Sequence, residues 1–133
     1  MSESITIKPK GTINVEDFKL GVMEMKFACL IWDNAPIPSG ELVKLCEKEF
    51  EWKKSTTYTM LRRLCERGIF QNVDGAVSVL LTQQEFQALQ SEQFINETFN
   101  GSLPQFLVTF ATRAKFTESE IETLQKIINQ HKE

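Results

Sequence analysis

Residues 52–81 read WKKSTTYTMLRRLCERGIFQNVDGAVSVLL, and they carry the clearest structural pattern in the sequence. Its first part predicts a helix over residues 54–67, because apolar side chains recur at intervals of three and four residues and Gly68 is a typical C-terminal cap. In its second part, the Asp-Gly pair at residues 74–75 separates two β-prone runs, which indicates a hairpin. The side chains of the helix that we expect to be buried are Thr57, Met60, Leu61, Leu64 and Cys65.

Two further helices are predicted before this stretch. Apolar residues spaced three and four apart predict a first helix over residues 16–32, with Gly21 as an alternative start. Two prolines within residues 34–39 predict a connector, and Ser39 is the expected N-cap of a second helix that ends near Phe50. Three helices followed by a hairpin are the order of elements in a winged helix-turn-helix.

The sequence after the hairpin predicts three more helices. Thr82 is a candidate cap for a helix over residues 83–99, the Asn-Gly-Ser sequence at 100–102 ends that helix, and a short helix follows over 103–113. The capping box at residues 117–120 opens the last helix. The predicted fold class is therefore mainly α, with a winged helix-turn-helix (three helices plus a short β-hairpin wing) followed by a C-terminal helical dimerisation domain.

These elements divide the chain into an N-terminal arm (residues 1–15), a winged-helix DNA-binding domain (16–81) and a helical dimerisation domain (82–133). A three-helix segment of about 50 residues is only marginally stable alone, because small domains bury little surface, so we expect a two-fold dimer with a shared core. An intrachain helical core is the alternative. Five of the ten Phe residues lie between residues 86 and 110. The residues predicted to hold the dimer are Phe106, Leu107, Phe110, Leu124, Ile127 and Ile128.

The charge of the chain is unevenly distributed. The total is −3, from 15 Lys and Arg residues against 18 Asp and Glu residues. Residues 53–67 nevertheless carry a net charge of +4, and no Lys or Arg occurs from residue 68 to residue 112. One basic segment in an otherwise acidic protein favours a local contact with an anionic partner.

The outward side of the third helix carries the groups that a DNA-recognition helix needs. Such a helix enters the major groove, about 12 Å wide, and presents donors to base edges and phosphates. Hydroxyls and one aromatic ring lie in its first turns, and two guanidinium groups follow. A solvated cationic face is the alternative interpretation. The residues predicted to face double-stranded DNA are Lys53, Lys54, Ser55, Thr56, Tyr58, Thr59, Arg62 and Arg63.

Other kinds of chemistry have little support in the sequence. The chain has one His, no Gly-rich phosphate loop and no closely spaced Cys pair, so we expect neither an enzyme nor a metal or cofactor site. Cys29, Cys46 and Cys65 are expected to be buried thiols. No apolar run is long enough to span a membrane, and the first eleven residues lack the apolar run of a secretory signal. We therefore expect a cytoplasmic protein with no membrane insertion.

From about Leu20 to its end, the sequence resembles the penicillinase and methicillin-resistance repressors, a family of winged-helix regulators. Four stretches carry the resemblance in the same order as in that family. They are Leu-Ile-Trp-Asp at 30–33, the helix at 52–68, FINETFNGSLPQFLVTF at 94–110 and the closing helix at 116–128. No single stretch is specific, but the four in order are.

The resemblance implies a homodimeric repressor that binds a palindromic operator with one recognition helix per half-site. It also implies induction by a membrane sensor-protease system, in which the repressor is cut in its C-terminal domain. The family's cut at an Asn-Phe bond aligns with Thr109 and Phe110, of which only Phe110 matches. Copper-responsive relatives carry a cysteine cluster near the C-terminus, whereas this chain has no cysteine after Cys65.

Two departures from the family bear on DNA binding. Lys53 stands where the family has a Ser or Thr cap, and the wing is short and uncharged apart from Asp74. A neutral wing leaves open a second function, a winged-helix module that binds another protein instead of DNA. Salt separates the two, because a DNA contact weakens steeply between about 50 and 200 mM salt and an apolar contact does not.

Overall fold

The structure is a computed structural model and describes residues 18–132. The predicted N-terminal arm and the first two residues of the predicted first helix lie outside the described residues. Within these bounds the chain forms six helices and three short strands. It separates into two compact units, of which one runs to Phe94 and the other begins at Ile95. The mainly helical fold class with a small antiparallel sheet is confirmed.

Helix α1 (Val22–Asn34) begins later than residue 16, so the predicted start is wrong and the alternative start at Gly21 is confirmed. Gly21 is the N-cap, and its amide donates to the carboxylate of Glu24 at 3.0 Å. This bond satisfies a backbone donor that the helix itself leaves unpaired. The preceding chain does not continue the helix, and Phe18 is instead buried in the core, with 3% of its surface exposed.

The predicted connector contains a strand, β1 (Ile37–Pro38), which leads directly into helix α2 (Ser39–Phe50). Ile37 is buried and pairs with Val77. The prediction that Ser39 caps α2 is wrong, because Ser39 is the first helical residue and Pro38 is the N-cap. The Ser39 hydroxyl is hydrogen-bonded to Tyr58 instead.

Helix α3 (Lys54–Glu66) confirms the predicted third helix. Its expected buried side is also confirmed in outline, since three of the five residues are fully buried and the other two are half-buried. Gly68 has a φ of +79°, a conformation that favours glycine and lets the chain turn into the sheet. The buried residues are Thr57, Leu61 and Leu64, and the half-buried ones are Met60 and Cys65.

The wing consists of strands β2 (Phe70–Val73) and β3 (Ala76–Val79), joined by the predicted turn. Asp74 and Gly75 have φ values of +51° and +80°, the two left-handed residues of a type I′ hairpin. The sheet has three strands in the order β1-β3-β2, whereas the sequence predicts two. The third strand was missed because a two-residue strand inside a proline-containing segment has no alternation to detect.

The first unit encloses one hydrophobic core between its helices, its sheet and the beginning of helix α4 (Gln83–Phe99). Phe70 and Phe86 are fully buried, and both rings pack against Trp32, with centroids 5.4 and 5.6 Å away. The Trp32 indole also donates to the carbonyl oxygen of Leu81 at 2.9 Å. The beginning of α4 therefore completes the core of the winged helix.

The second unit contains the end of α4, α5 (Leu103–Ala111) and α6 (Glu118–Gln130). Asn100 and Gly101 end α4 with φ values of +50° and +81°. The predicted capping box at 117–120 is confirmed, while α5 is two residues shorter than the predicted 103–113, since Thr112 caps it. Neither α5 nor α6 buries a residue within the described chain.

Candidate nucleic-acid interface

The residues predicted to face DNA lie along one exposed side of α3 and its N-terminus. We call this set the recognition face. Seven of the eight are exposed, and Tyr58 is half-buried. None of its four basic residues forms an ion pair with a carboxylate in the part of the chain that the structure describes. The members of the recognition face are Lys53, Lys54, Ser55, Thr56, Tyr58, Thr59, Arg62 and Arg63.

The N-terminus of α3 is positive by both its side chains and its backbone. Lys53 is the N-cap and makes no side-chain hydrogen bond to the helix, and the first turn has no acidic residue. The first backbone amides of a helix lack partners within it, and the helix dipole places partial positive charge at that end. Lys54 adds its charge at the same place, so this end of the recognition face favours an anion such as a phosphate.

Arg67 belongs to the basic segment 53–67 but not to the recognition face. Its guanidinium Nη1 donates to the carbonyl oxygen of Lys19 at 3.0 Å and lies 3.5 Å from the Glu24 carboxylate. The side chain is 28% exposed. Arg67 therefore ties the end of α3 to the chain before α1, and sequence analysis missed this because charge counting ignores direction. The cations left for a partner are Lys53, Lys54, Arg62 and Arg63.

Tyr58 lies at the inner edge of the recognition face. Its ring packs against the core of the first unit, and its hydroxyl lies 3.0 Å from the Ser39 hydroxyl in a partly buried position. The sequence places Tyr58 outward by helical spacing alone, and this spacing cannot show that the hydroxyl already has a partner. Tyr58 also lines a cleft of about 240 Å³ beside β2, together with Leu61, Arg62, Cys65 and Asn72.

The wing adds polar and apolar surface but no positive charge. Gln71 and Asn72 are exposed on β2, and the Gln71 amide donates to the Ser78 hydroxyl at 3.0 Å. Val73 and Leu80 are 54% and 52% exposed. The wing therefore contributes shape and hydrogen-bonding groups to the first unit, and α3 contributes the charge.

The three cysteines are unpaired thiols. Cys46 is buried as predicted, whereas Cys29 and Cys65 are half-buried, so the prediction for those two is only partly correct. Burial raises the pKa of all three thiols, and nearby carboxylates add to this at Cys29 and Cys65. Thiols with raised pKa are poor nucleophiles and poor metal ligands at neutral pH. Among residues 18–132, no group of three His, Cys, Asp or Glu side chains could hold a metal ion.

The second unit carries an apolar surface formed by α5 and α6. Its phenylalanine rings form a row, with centroids 6.0 Å apart for Phe106 and Phe110 and 6.1 Å apart for Phe110 and Phe116. A cleft of about 380 Å³ separates the two helices and is lined by these three rings and by Leu124. The surface defines an apolar C-terminal face, which comprises the six predicted dimer residues Phe106, Leu107, Phe110, Leu124, Ile127 and Ile128 together with Phe116 and Ile121.

Exposure differs among these residues. Phe110, Ile127 and Ile128 are 47%, 48% and 57% exposed, and the other three predicted residues are half-buried. Sequence analysis missed Phe116. The available signal was its position before the Thr117 cap, since Phe at this position and Ile four residues after the cap form the pattern of a hydrophobic staple.

Comparison with known sequences identifies the family of the chain. The sequence pattern of the penicillinase repressor family matches residues 20–130 of the chain. The chain belongs to the penicillinase repressor family. The penicillinase repressor of Bacillus licheniformis is 28% identical to it over 122 residues, which cover 89% of this chain and 91% of that protein. The resemblance drawn from the four sequence stretches is thereby confirmed.

Membership of the penicillinase repressor family supports a role in transcription regulation. The match begins beside the Gly21 cap of α1 and ends with α6, so it includes both the recognition face and the apolar C-terminal face. None of the helices in the described part of the chain is long and apolar enough to cross a membrane.

The candidate cleavage bond between Thr109 and Phe110 lies in the last turn of α5. Both residues are exposed, and the Thr109 carbonyl accepts a hydrogen bond from the Thr112 hydroxyl at 2.7 Å. The Thr109 hydroxyl lies 3.4 Å from the Gln105 amide nitrogen. A protease needs an extended substrate, so cleavage at this bond requires the end of α5 to unwind.

Proposed function

We propose that this protein is a cytoplasmic transcriptional repressor that binds a palindromic DNA operator as a homodimer. The observation that carries the proposal is the recognition face, where hydroxyls and four cations without an ion-pair partner among residues 18–132 lie on one exposed helix and its N-cap, in an otherwise acidic chain. A helix with this surface fits the major groove, with the hydroxyls toward base edges and the guanidinium groups toward phosphates.

The charge distribution predicts how binding depends on salt. If each of the four cations on α3 meets one phosphate, a dimer makes roughly eight phosphate contacts and log Kobs falls with log salt at a slope of about −7. The wing adds nothing to this slope, since it has no Lys or Arg. Affinity then depends on α3 and on the joint binding of two copies.

The apolar C-terminal face supports the homodimer. Neither α5 nor α6 buries a residue within the described chain, and Phe110, Ile127 and Ile128 each leave about half of their surface in water. Covering apolar surface is favourable by about 25 cal/mol per Å². A second copy supplies the same face by two-fold symmetry, which is the most frequent arrangement in soluble oligomers.

We also propose that the operator is released when a sensor-protease system cuts the chain at Thr109-Phe110. A cut there would separate α6 from α5 and so divide the apolar C-terminal face. Thr109→Asn restores the Asn-Phe pair of the family and should speed the cut by the sensor-protease of a related system. If the protease cuts neither the wild type nor Thr109→Asn, this step is contradicted. The proposed DNA binding does not depend on that result.

The neutral wing favours a second candidate function, a module that binds another protein. Val73 and Leu80 are more than half exposed on it, and an apolar partner could cover them. This candidate predicts binding that changes little between about 50 and 200 mM salt, in contrast to the steep loss expected for DNA.

Selection from a random pool of double-stranded DNA tests the principal proposal. The purified protein should enrich a palindrome, and the double variant Arg62→Ala/Arg63→Ala should bind it at least tenfold more weakly with unchanged thermal stability. Arg113→Ala/Lys115→Ala is the matched control, since it removes two exposed cations from the second unit. Failure to enrich any sequence, or equal affinity of the first double variant and the wild type, would overturn the proposal.

A further inference from the structure

Two hydrogen bonds connect the wing, α2 and α3 at Ser39. The Ser39 amide donates to the carbonyl oxygen of Gly75 in the wing turn, with a distance of 2.7 Å. The Ser39 and Tyr58 hydroxyls lie 3.0 Å apart, and Tyr58 is on α3. A Cβ atom on Gly75 would lie 3.8 Å from the Ser39 hydroxyl oxygen, so this hydroxyl lies directly against the wing turn.

This arrangement changes what Tyr58 can do in DNA binding. Its ring contacts the hydrophobic core, and its hydroxyl is directed to Ser39 in a partly buried position. A phenol hydroxyl has one proton to donate, and a hydroxyl pair can share a single hydrogen bond in either direction. Whichever oxygen donates, the Tyr58 hydroxyl takes part in a hydrogen bond within the protein.

The wing itself needs a support of this kind. Its only charged side chain is that of Asp74, so attraction to phosphates cannot draw it to the DNA. Its position above α3 must be set by contacts within the protein. The bond from Ser39 to Gly75 is one such contact, and the Ser39–Tyr58 pair connects it to the recognition helix.

We propose that Ser39 and Tyr58 are positioning residues whose hydroxyl pair fixes the wing turn relative to α3, so that both meet the DNA together. The proposal rests on the proposed DNA-binding function and deepens it. It assigns Tyr58 an indirect role, through Ser39, in place of a direct contact with DNA. Ser39 thereby belongs to the binding machinery although it is not on the recognition helix.

A double-mutant cycle on the full chain tests this assignment. Tyr58→Phe removes only the phenol oxygen, and Ser39→Ala removes only the serine hydroxyl, while the backbone bond from residue 39 to Gly75 remains available. Operator affinity is measured for the wild type, both single variants and the double variant. Each single variant should bind roughly threefold to tenfold more weakly, and the double variant should be no weaker than either, because both changes remove one shared hydrogen bond.

Hydrogen exchange of the free protein gives a readout that does not depend on DNA. The Ser39 amide should exchange faster in Tyr58→Phe than in the wild type, because the serine that donates to Gly75 is no longer held by α3. Ser91→Ala is the matched control, since the exposed Ser91 hydroxyl donates to the Gln87 carbonyl oxygen within α4 and lies on neither the wing nor the recognition face. It should change neither the exchange of the Ser39 amide nor the affinity.

The outcomes test the positioning role of Ser39 and Tyr58 and the proposed DNA-binding function separately. Additive losses in the cycle would show that Tyr58 contacts DNA directly and would overturn the positioning role, as would unchanged affinity in both single variants. Unchanged exchange of the Ser39 amide in Tyr58→Phe would also overturn it. A wild-type protein that binds no DNA would overturn the proposed function, whereas the exchange experiment would still decide whether the hydroxyl pair holds the wing.

Discussion

The two units of this chain differ in how completely they bury their apolar side chains. In the first unit, α1, α2 and α3 each bury side chains completely, and the sheet and the beginning of α4 close the core. In the second unit, α5 and α6 bury none within the described chain, and their apolar side chains remain partly in water.

The difference predicts different partners for the two units. A unit with a closed core can expose a polar and cationic surface, which suits an anionic partner with many hydrogen-bonding groups. A unit with an unfinished core gains most from covering its apolar surface, and a second copy of itself provides a complementary surface. One chain can then combine the proposed DNA contact of the first unit with the proposed self-contact of the second.

The largest effect that we expect comes from truncating a side chain in the core of the first unit. Phe86 is fully buried and its ring lies 5.6 Å from that of Trp32 and 6.2 Å from that of Phe18. Phe86→Ala should lower the free energy of unfolding by about 3 to 5 kcal/mol. Urea denaturation measures this, with Val73→Ala as a control that should cost less than about 0.5 kcal/mol because Val73 is half exposed. Equal costs for the two variants would contradict a closed core in the first unit.

A charge on the apolar C-terminal face should break the proposed contact between the second units of two copies. Ile128 is 57% exposed, and Ile128→Asp would place a carboxylate within a covered apolar interface. Light scattering at micromolar concentration should give twice the chain mass of 15.3 kDa for the wild type and a single chain mass for this variant. Lys126→Asp, on the other side of α6, is the control and should stay dimeric. A wild-type mass near that of one chain would contradict the proposed dimer, and the second unit would then have no copy that covers its apolar face.

Arg67 holds the first unit together, in contrast to the cations that we propose to meet DNA. Its side chain donates to the Lys19 carbonyl and pairs with Glu24 while mostly shielded from water. Arg67→Gln should lower the free energy of unfolding by about 1 to 2 kcal/mol and leave operator affinity unchanged. The comparison variant is Arg62→Ala/Arg63→Ala, which should show the opposite pattern. Thermal melting and operator titration of both proteins give the answer, and an affinity loss in Arg67→Gln at full stability would place Arg67 at the DNA.

The sequence predicts those features that depend on neighbours along the chain. Periodicity gives α2 and α3, the Asp-Gly pair gives the hairpin, and the Thr-Glu-Ser-Glu pattern gives the start of α6, because each is set within a few residues. The prediction for α1 is wrong at its start, since helical spacing continues through residues that the fold uses to bury Phe18.

Features that depend on distant residues were not predictable in this way. Strand β1 exists because Ile37 meets Val77, forty residues away, and not because of its own pattern. The same holds for the partners of Arg67 and Tyr58, which lie in the chain before α1, in α1 and at the start of α2. For the recognition face, the sequence thus predicts which residues lie on the outward side of the helix. It does not predict which of them form hydrogen bonds within the protein.

The smallest predicted effect concerns Thr57, on the side of α3 that faces away from the recognition face. Its hydroxyl is fully buried and, among residues 18–132, forms no hydrogen bond of ordinary geometry, although it lies near the Cys46 thiol and partly opposes the rise that burial causes in the pKa of that thiol. A buried hydroxyl without a good partner costs more than it contributes, so Thr57→Val should raise the free energy of unfolding by about 1 kcal/mol. Operator affinity should not change, since the side chain does not reach the surface.

Thr57→Ser keeps the hydroxyl and removes a methyl group, so it should be less stable than the wild type. Urea denaturation measures the free energy of unfolding. A loss of stability in Thr57→Val would contradict the prediction and would mean that the contact with Cys46 is a stabilising hydrogen bond.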